Sequence, residues 1–261
     1  MGNAFSFLKL AVANLDRDME SNPDEVKSIL IESIDAYIQE RIQFADVAIC
    51  KHASSKIIDG DVILTYARSE LMEGILLGAS QTKKFRVILV DSRPLLEAKK
   101  MLDTLTKAGI ECTYILLNSL SYVMKEVTKV FLGASALMRD GSILSRVGTA
   151  SVALMAKSYN VPVLVCCETY KISNRVQLES ITGNELGNPD ELMENPNNPA
   201  DSEALKGWKD ADNLRLLNLL YDLTPSEFVS GIVTEMGILP PTSVAVLLRE
   251  MNPQESGSSL S

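Results

Sequence analysis

The chain has 261 residues, 46% of them hydrophobic, with a formal net charge of −9 and a single histidine. That length suits one α/β unit with a small annex. The negative charge argues against bulk electrostatic binding of nucleic acid or of an anionic membrane, and His52 alone leaves no room for multi-histidine zinc sites or for a serine–histidine relay elsewhere.

The opening Met1-Gly2-Asn3-Ala4-Phe5-Ser6 fits the spacing of an N-myristoylation signal, but no polybasic second signal follows it. From Pro23 to about Lys56, apolar residues recur at helical spacing (Val26, Ile29, Leu30, Ile34, Tyr37, Ile38, Ile42, Ala45, Ile49, Ala53). Ser21 or Asn22 can cap this helix, and Pro23, Asp24 and Glu25 suit its first turn. A helix this long either bridges two parts of the structure or breaks once. His52 falls on its polar side and reads as a solvated surface residue.

After Asp59-Gly60 the pattern changes to short β-branched runs: 62–66, 85–90, 112–117, 130–132, 161–166 and 216–221. Helical patterns lie between or after them, around 69–80, 95–108, 119–127, 148–158 and 172–180. Near-continuous apolar strands alternating with amphipathic helices predict an α/β fold, a doubly wound, Rossmann-like, mainly parallel sheet, with any ligand at the carboxyl ends of its strands. Residues 179–212 hold nine acids against Lys206 and Lys209, a net of −7, and read as an acidic exposed loop; the tail from 253 to 261 reads as flexible.

Cys50, Cys112, Cys166 and Cys167 form no CxxC pair, and the adjacent Cys166 and Cys167 should face opposite sides of a strand. A reduced, cytosolic protein is expected. The longest apolar stretches fall far short of the ~18–20 residues of a membrane span. Neither GxGxxG nor a Walker A motif follows an early strand, so no nucleotide cofactor is expected. Gly133-Ala-Ser135-Ala-Leu137 lacks the second glycine of a nucleophile elbow. The most unusual polar set sits at predicted strand ends: Arg68, Asp91-Ser92-Arg93, Ser135, Arg139, Asp140 and Arg146. Converging on one rim, Arg68, Arg93 and Arg146 could hold a phosphate, or the arginines could simply pair with Asp91 and Asp140.

The segments Val90 to Leu96, Phe131 to Thr149 and Tyr221-Asp-Leu-Thr-Pro225 carry a resemblance that covers nearly the whole chain. They resemble a family that unites the methylthioribose-1-phosphate and ribose-1,5-bisphosphate isomerases with the alpha, beta and delta subunits of the guanine-nucleotide exchange factor for translation initiation factor two. Val165-Cys-Cys-Glu-Thr-Tyr-Lys171, Arg175-Val-Gln177 and Asn184-Glu-Leu186 are most similar to its delta branch. The resemblance implies that residues 1–58 are the remainder of a helical domain with its connecting helix. It implies that 59–252 are the α/β domain, and that the chain is a carboxy-terminal fragment, which weighs against the myristoylation reading.

Isomerases of the family place a catalytic cysteine where Ala67 stands, in a Thr-His-Cys-Asn pattern that here reads Thr65-Tyr-Ala67-Arg68, and an aspartate where Ser135 stands. Moving a proton between sugar carbons needs an acid and a base tuned toward neutrality, which alanine and an unassisted serine do not supply. The implied protein is a non-catalytic regulatory subunit, without metal or cofactor. It would assemble with homologous beta and alpha subunits and a catalytic gamma–epsilon pair, and would sense initiation factor two phosphorylated on its alpha subunit. Arg68, Arg93, Ser135, Asp140, Arg146 and Thr149 would mark a degenerate pocket, and Tyr170, Lys171, Asn184, Glu185 and Leu186 would contact other subunits or only anchor their loop. The alternative is a sugar-phosphate isomerase, or a sugar-phosphate-sensing derivative of one.

Overall fold

The computed structural model describes Val12 and residues 23–177, 184–193, 205 and 207–251. The Met1–Ser6 segment, the Ser21 and Asn22 caps, the middle of the acidic loop and the 253–261 tail lie outside the described residues. Helix α1 (Pro23–Tyr37) runs through a π-helical segment, Ile38–Gln43, into α2 (Phe44–Ser54). The long helix thus carries one irregularity, and its two ends differ. In α2, Ala45, Ile49 and Ala53 are buried, whereas the π segment buries no residue.

Strand β1 (Val62–Tyr66) is followed by α3 (Glu70–Ser80), β2 (Arg86–Asp91), α4 (Ala98–Lys107) and β3 (Glu111–Leu116). Then come the short α5 (Leu120–Val123), β4 (Lys129–Gly133), the hairpin β5 (Ala136–Met138) with β6 (Ile143–Arg146), α6 (Thr149–Ser158) and β7 (Val163–Cys166). The last elements are β8 (Ile172–Ser173), β9 (Tyr221–Thr224), β10 (Gly231–Thr234), β11 (Gly237–Leu239) and α7 (Val244–Met251).

The main sheet has the order β11-β10-β7-β4-β1-β2-β3 and is parallel except for β11. This is the doubly wound α/β architecture expected from the apolar strands. Alternation along those strands feeds two cores. Ile63, Val87, Leu89, Phe131 and Cys166 meet α2, α3 and α4 on one face. Leu64, Ile88, Val130, Val165 and Cys167 meet α5, α6 and α7 on the other. Cys166 and Cys167 therefore do point to opposite layers.

A second, four-stranded sheet of order β8-β5-β6-β9 was not anticipated. The expected strand at 216–221 is irregular chain with one bridge, Leu186 to Leu219, and the strand itself starts at Tyr221. The expected helix at 172–180 begins instead as β8, which pairs with β5, and 178–180 lie outside the described residues. The pattern at 119–127 is helical only over Leu120–Val123 after a 3-10 turn. His52 is half-buried, with Nδ1 3.0 Å from the Thr234 carbonyl, so it ties α2 to β10 and is not a solvated residue.

Candidate functional site

Strand order reverses between β1 and β4, because the chain leaves β1 toward β2 on one side and later returns to lay β4 on the other. Such a switch point leaves a crevice at the carboxyl ends of the two strands. A cavity of ≈ 200 Å³ lies there, bordered by Ala67 and Arg68 after β1, Gly133 and Ser135 after β4, and Arg146 and Thr149 where β6 leads into α6.

Local geometry follows from the sequence. Ala67 takes a left-handed φ of 56, which turns the chain sharply so that Ser69 can cap α3 by accepting from Met72 N at 3.3 Å. Gly148 has φ 104, and a Cβ there would stand 2.8 Å from Tyr66 Cζ. The glycine thus lets the Tyr66 ring lie against the start of α6. The Tyr66 hydroxyl is held by Ser92 Oγ at 2.6 Å and by the Val147 carbonyl, and burial raises its pKa above the ordinary phenol value.

The helix α6 N-terminus, normally a seat for anions, is filled from within. The Asp222 carboxylate accepts from Gly148 N at 2.7 Å and Ala150 N at 3.0 Å. Burial pushes its pKa up to about 6, against the lowering effect of those two amides.

Of the expected rim, Arg68, Ser135, Arg146 and Thr149 border this one cavity. Arg93 lines a narrow adjoining crevice, which also touches Ala67 and Arg146. Asp140 does not reach either space. Its carboxylate accepts from Ser142 N at 3.0 Å and Ser142 Oγ at 2.9 Å, closing the β5–β6 turn. Arg139, also exposed, lies at the same turn. Two of the three arginines pair, but not with the aspartates expected. Arg146 bonds Glu97, and Arg68 stands 3.3 Å from Glu70. Asp91, fully buried, instead accepts from Ser92 N, Ala98 N and the Tyr114 hydroxyl at the entry to α4. None of the residues bordering the cavity is a carboxylate, histidine or cysteine.

The delta-like segment follows β7. Lys171 pairs with the buried Glu168 at 2.6 Å and lies 5.7 Å from the Tyr170 ring centre. Asn184 clamps β9, donating to Tyr221 O at 2.6 Å and accepting from Tyr221 N at 3.3 Å. Glu185 O accepts from Leu220 N at 3.1 Å, while the Leu186 side chain is 65% exposed. Tyr170, Lys171 and Asn184 are therefore engaged within the chain, and Leu186 and the Glu185 side chain face solvent. Sequence reasoning missed Asp222 and Glu168, although both stand inside motifs it singled out.

The model of the initiation factor 2 subunit family matches residues 1–241. The chain belongs to that family. Among relatives of this family member, a protein of Dictyostelium discoideum described as translation initiation factor eIF2B subunit delta is 50% identical over 252 residues, 96% of this chain and 40% of its own length. The ribose 1,5-bisphosphate isomerase of Pyrococcus furiosus is 32% identical over 198 residues, 76% of this chain and 58% of its own. Among solved structures, a chain of the tetrameric eIF2B-beta2-delta2 complex from C. thermophilum superposes with a TM-score of 0.75 at 34% identity, covering 90% of this chain and 69% of that one. The chain spans about half the length of the curated relatives it matches. No helix of the described residues is long and apolar enough to cross a membrane.

Proposed function

We propose that this chain is a non-catalytic regulatory subunit of the cytosolic factor that replaces GDP by GTP on translation initiation factor two. In this reading it assembles with homologous beta and alpha subunits, meets the catalytic gamma and epsilon subunits, and helps to sense initiation factor two phosphorylated on its alpha subunit. The observation that carries the reading is 50% identity to a delta subunit over nearly the whole chain, against 32% to an isomerase. The solved neighbour's beta2-delta2 composition supports a homologous beta partner.

The cleft chemistry points the same way. Sugar isomerisation needs an acid and a base near neutrality, and the cavity is bordered by Ala67 and Ser135 at the positions where the family's isomerases carry theirs. Of the two tyrosines that border it, Tyr66 and Tyr221, the first is shifted further away from neutrality by burial. Residues 1–58 then read as a helical region with its connecting helix and 59–252 as the Rossmann-like α/β domain.

Co-expression with a beta-type subunit tests the proposal. A stoichiometric complex on size exclusion is expected; a chain that stays monomeric beside every regulatory subunit sinks the assembly claim, and robust turnover of ribose 1,5-bisphosphate by the purified chain sinks the non-catalytic one.

A further inference from the structure

Helix α2 meets the carboxyl edge of the main sheet, away from the cleft, through a cluster rich in carboxyl groups that takes in Tyr170 and Lys171 of the delta-like segment. Asp46 on α2 lies within hydrogen-bonding reach of Glu168, which follows β7 and is 4% exposed. Glu235, which follows β10, accepts from Thr169 N at 3.1 Å and from the Thr169 hydroxyl, and its charge also acts on Asp46.

Among the described residues, the cation that acts on this group is Lys171, 2.6 Å from Glu168. The Tyr170 phenol bonds Glu168 as well, Cys50 lies one turn along α2, and α3, packed against α2, carries Glu73, one of whose carboxylate oxygens is buried with no hydrogen-bond partner. His52 is committed to the Thr234 carbonyl. Asp46, Glu168 and Glu235 around one ammonium cannot all be ionised without strong repulsion, and Asp46 Oδ1 is buried with no hydrogen-bond partner of its own.

We infer that α2 docks on the sheet through a shared proton, with the neutral Asp46 carboxyl donating to the Lys171-paired Glu168 carboxylate, and that loss of this proton loosens α2. Burial, then Glu168, moves Asp46 from the ordinary 3.8 to about 6. A raised value in the folded state means that Asp46 supports docking fully below the ordinary carboxylate value, and that this support is lost as the pH rises through about 6. α2 buries Ala45, Ile49 and Ala53, but the preceding π segment buries nothing, so loosening would release α1 together with α2.

The test is hydrogen exchange of the α2 amides in the full chain, expressed as protection factors between pH 4 and pH 7.5, for the wild type and Asp46→Asn. Asparagine can donate to Glu168 at every pH. Protection in the variant relative to the wild type should rise about tenfold or more across that range. Equal pH profiles overturn the inference. A carbon-13 titration of the Asp46 carboxyl in the wild type, which needs no variant to fold, should show a midpoint near 6; a midpoint below about 4.5 overturns it.

Discussion

Gly148→Ala strikes the junction on which the cleft is built. With φ at 104, Gly148 sits where an L side chain is strained, and the added Cβ would stand 2.8 Å from Tyr66 Cζ and closer still to its hydroxyl. Tyr66 cannot easily swing aside, because Ser92 Oγ and the Val147 carbonyl hold its hydroxyl and the ring is 6% exposed. Backbone strain costs about 1–3 kcal/mol, and overpacking a closed site adds about 1–3 kcal/mol. The expected loss is about 3–5 kcal/mol, a large share of a domain's stability. Urea unfolding followed by circular dichroism measures it.

A double-mutant cycle separates the two parts. In a Tyr66→Ala background the ring is gone, so Gly148→Ala should cost only the backbone strain, leaving a coupling of about 1–3 kcal/mol. A single-mutant loss below about 1 kcal/mol, or an additive cycle, would refute the view that glycine is required here by the tyrosine packed against it.

Lys129→Met should cost about 2–4 kcal/mol in the same assay, since it strands Asp61, 4% exposed, which Lys129 approaches at 2.6 Å. Burial raises the Asp61 pKa, but the bonds from Lys129, Ile58 N and Thr128 outweigh it and hold it low; its stabilising effect should be lost as the pH falls below the ordinary carboxylate range, visible as a smaller acid sensitivity in Asp61→Asn. Millimolar ribose phosphates should leave the thermal midpoint unchanged, because Arg146 and Arg68 are paired and Asp222 fills the α6 terminus; a reproducible rise of a few degrees would contradict this. Burial raises the pKa of all four thiols, but Cys166 and Cys167 are fully buried and Cys50 and Cys112 only partly, so native alkylation at pH 8 followed by mass spectrometry should label Cys50 and Cys112 first.

What the sequence made legible tracks the length of the apolar run more than burial: β3, a six-residue edge strand, was located, and the four-residue, fully buried β10 was not. Strands β1, β2, β4 and β7 sit in the sheet interior, covered on both faces, so their apolar runs locate them within a residue or two. Strands β5, β6, β8 and β9 have two to four residues, too few for a period to show, and β10 and β11 both open on glycine. The helical spacing that begins at Ile172 gave way to the pairing of β8 with β5, and the residues at 216–218 form no strand.

The cleft was legible for a different reason: Arg68 and Ser135 follow β1 and β4, whose carboxyl ends must converge once the sheet is doubly wound, whereas Arg146 arrives from β6 of the second sheet. The partners of those residues were not, because Glu97 and Asp222 reach the cleft from elements 49 and 74 residues away from Arg146 and Gly148. That distinction bears on what the cleft can do. In the proposed reading, Ala67 and Ser135 stand where an isomerase needs its acid and base, a chemical difference readable from two letters. Asp222 and Glu97 occupy the groups that would otherwise hold a phosphate, which is an electrostatic loss visible only in three dimensions. Restoring cysteine and aspartate at 67 and 135 would address the first and leave the second, so turnover should not return with those two substitutions alone.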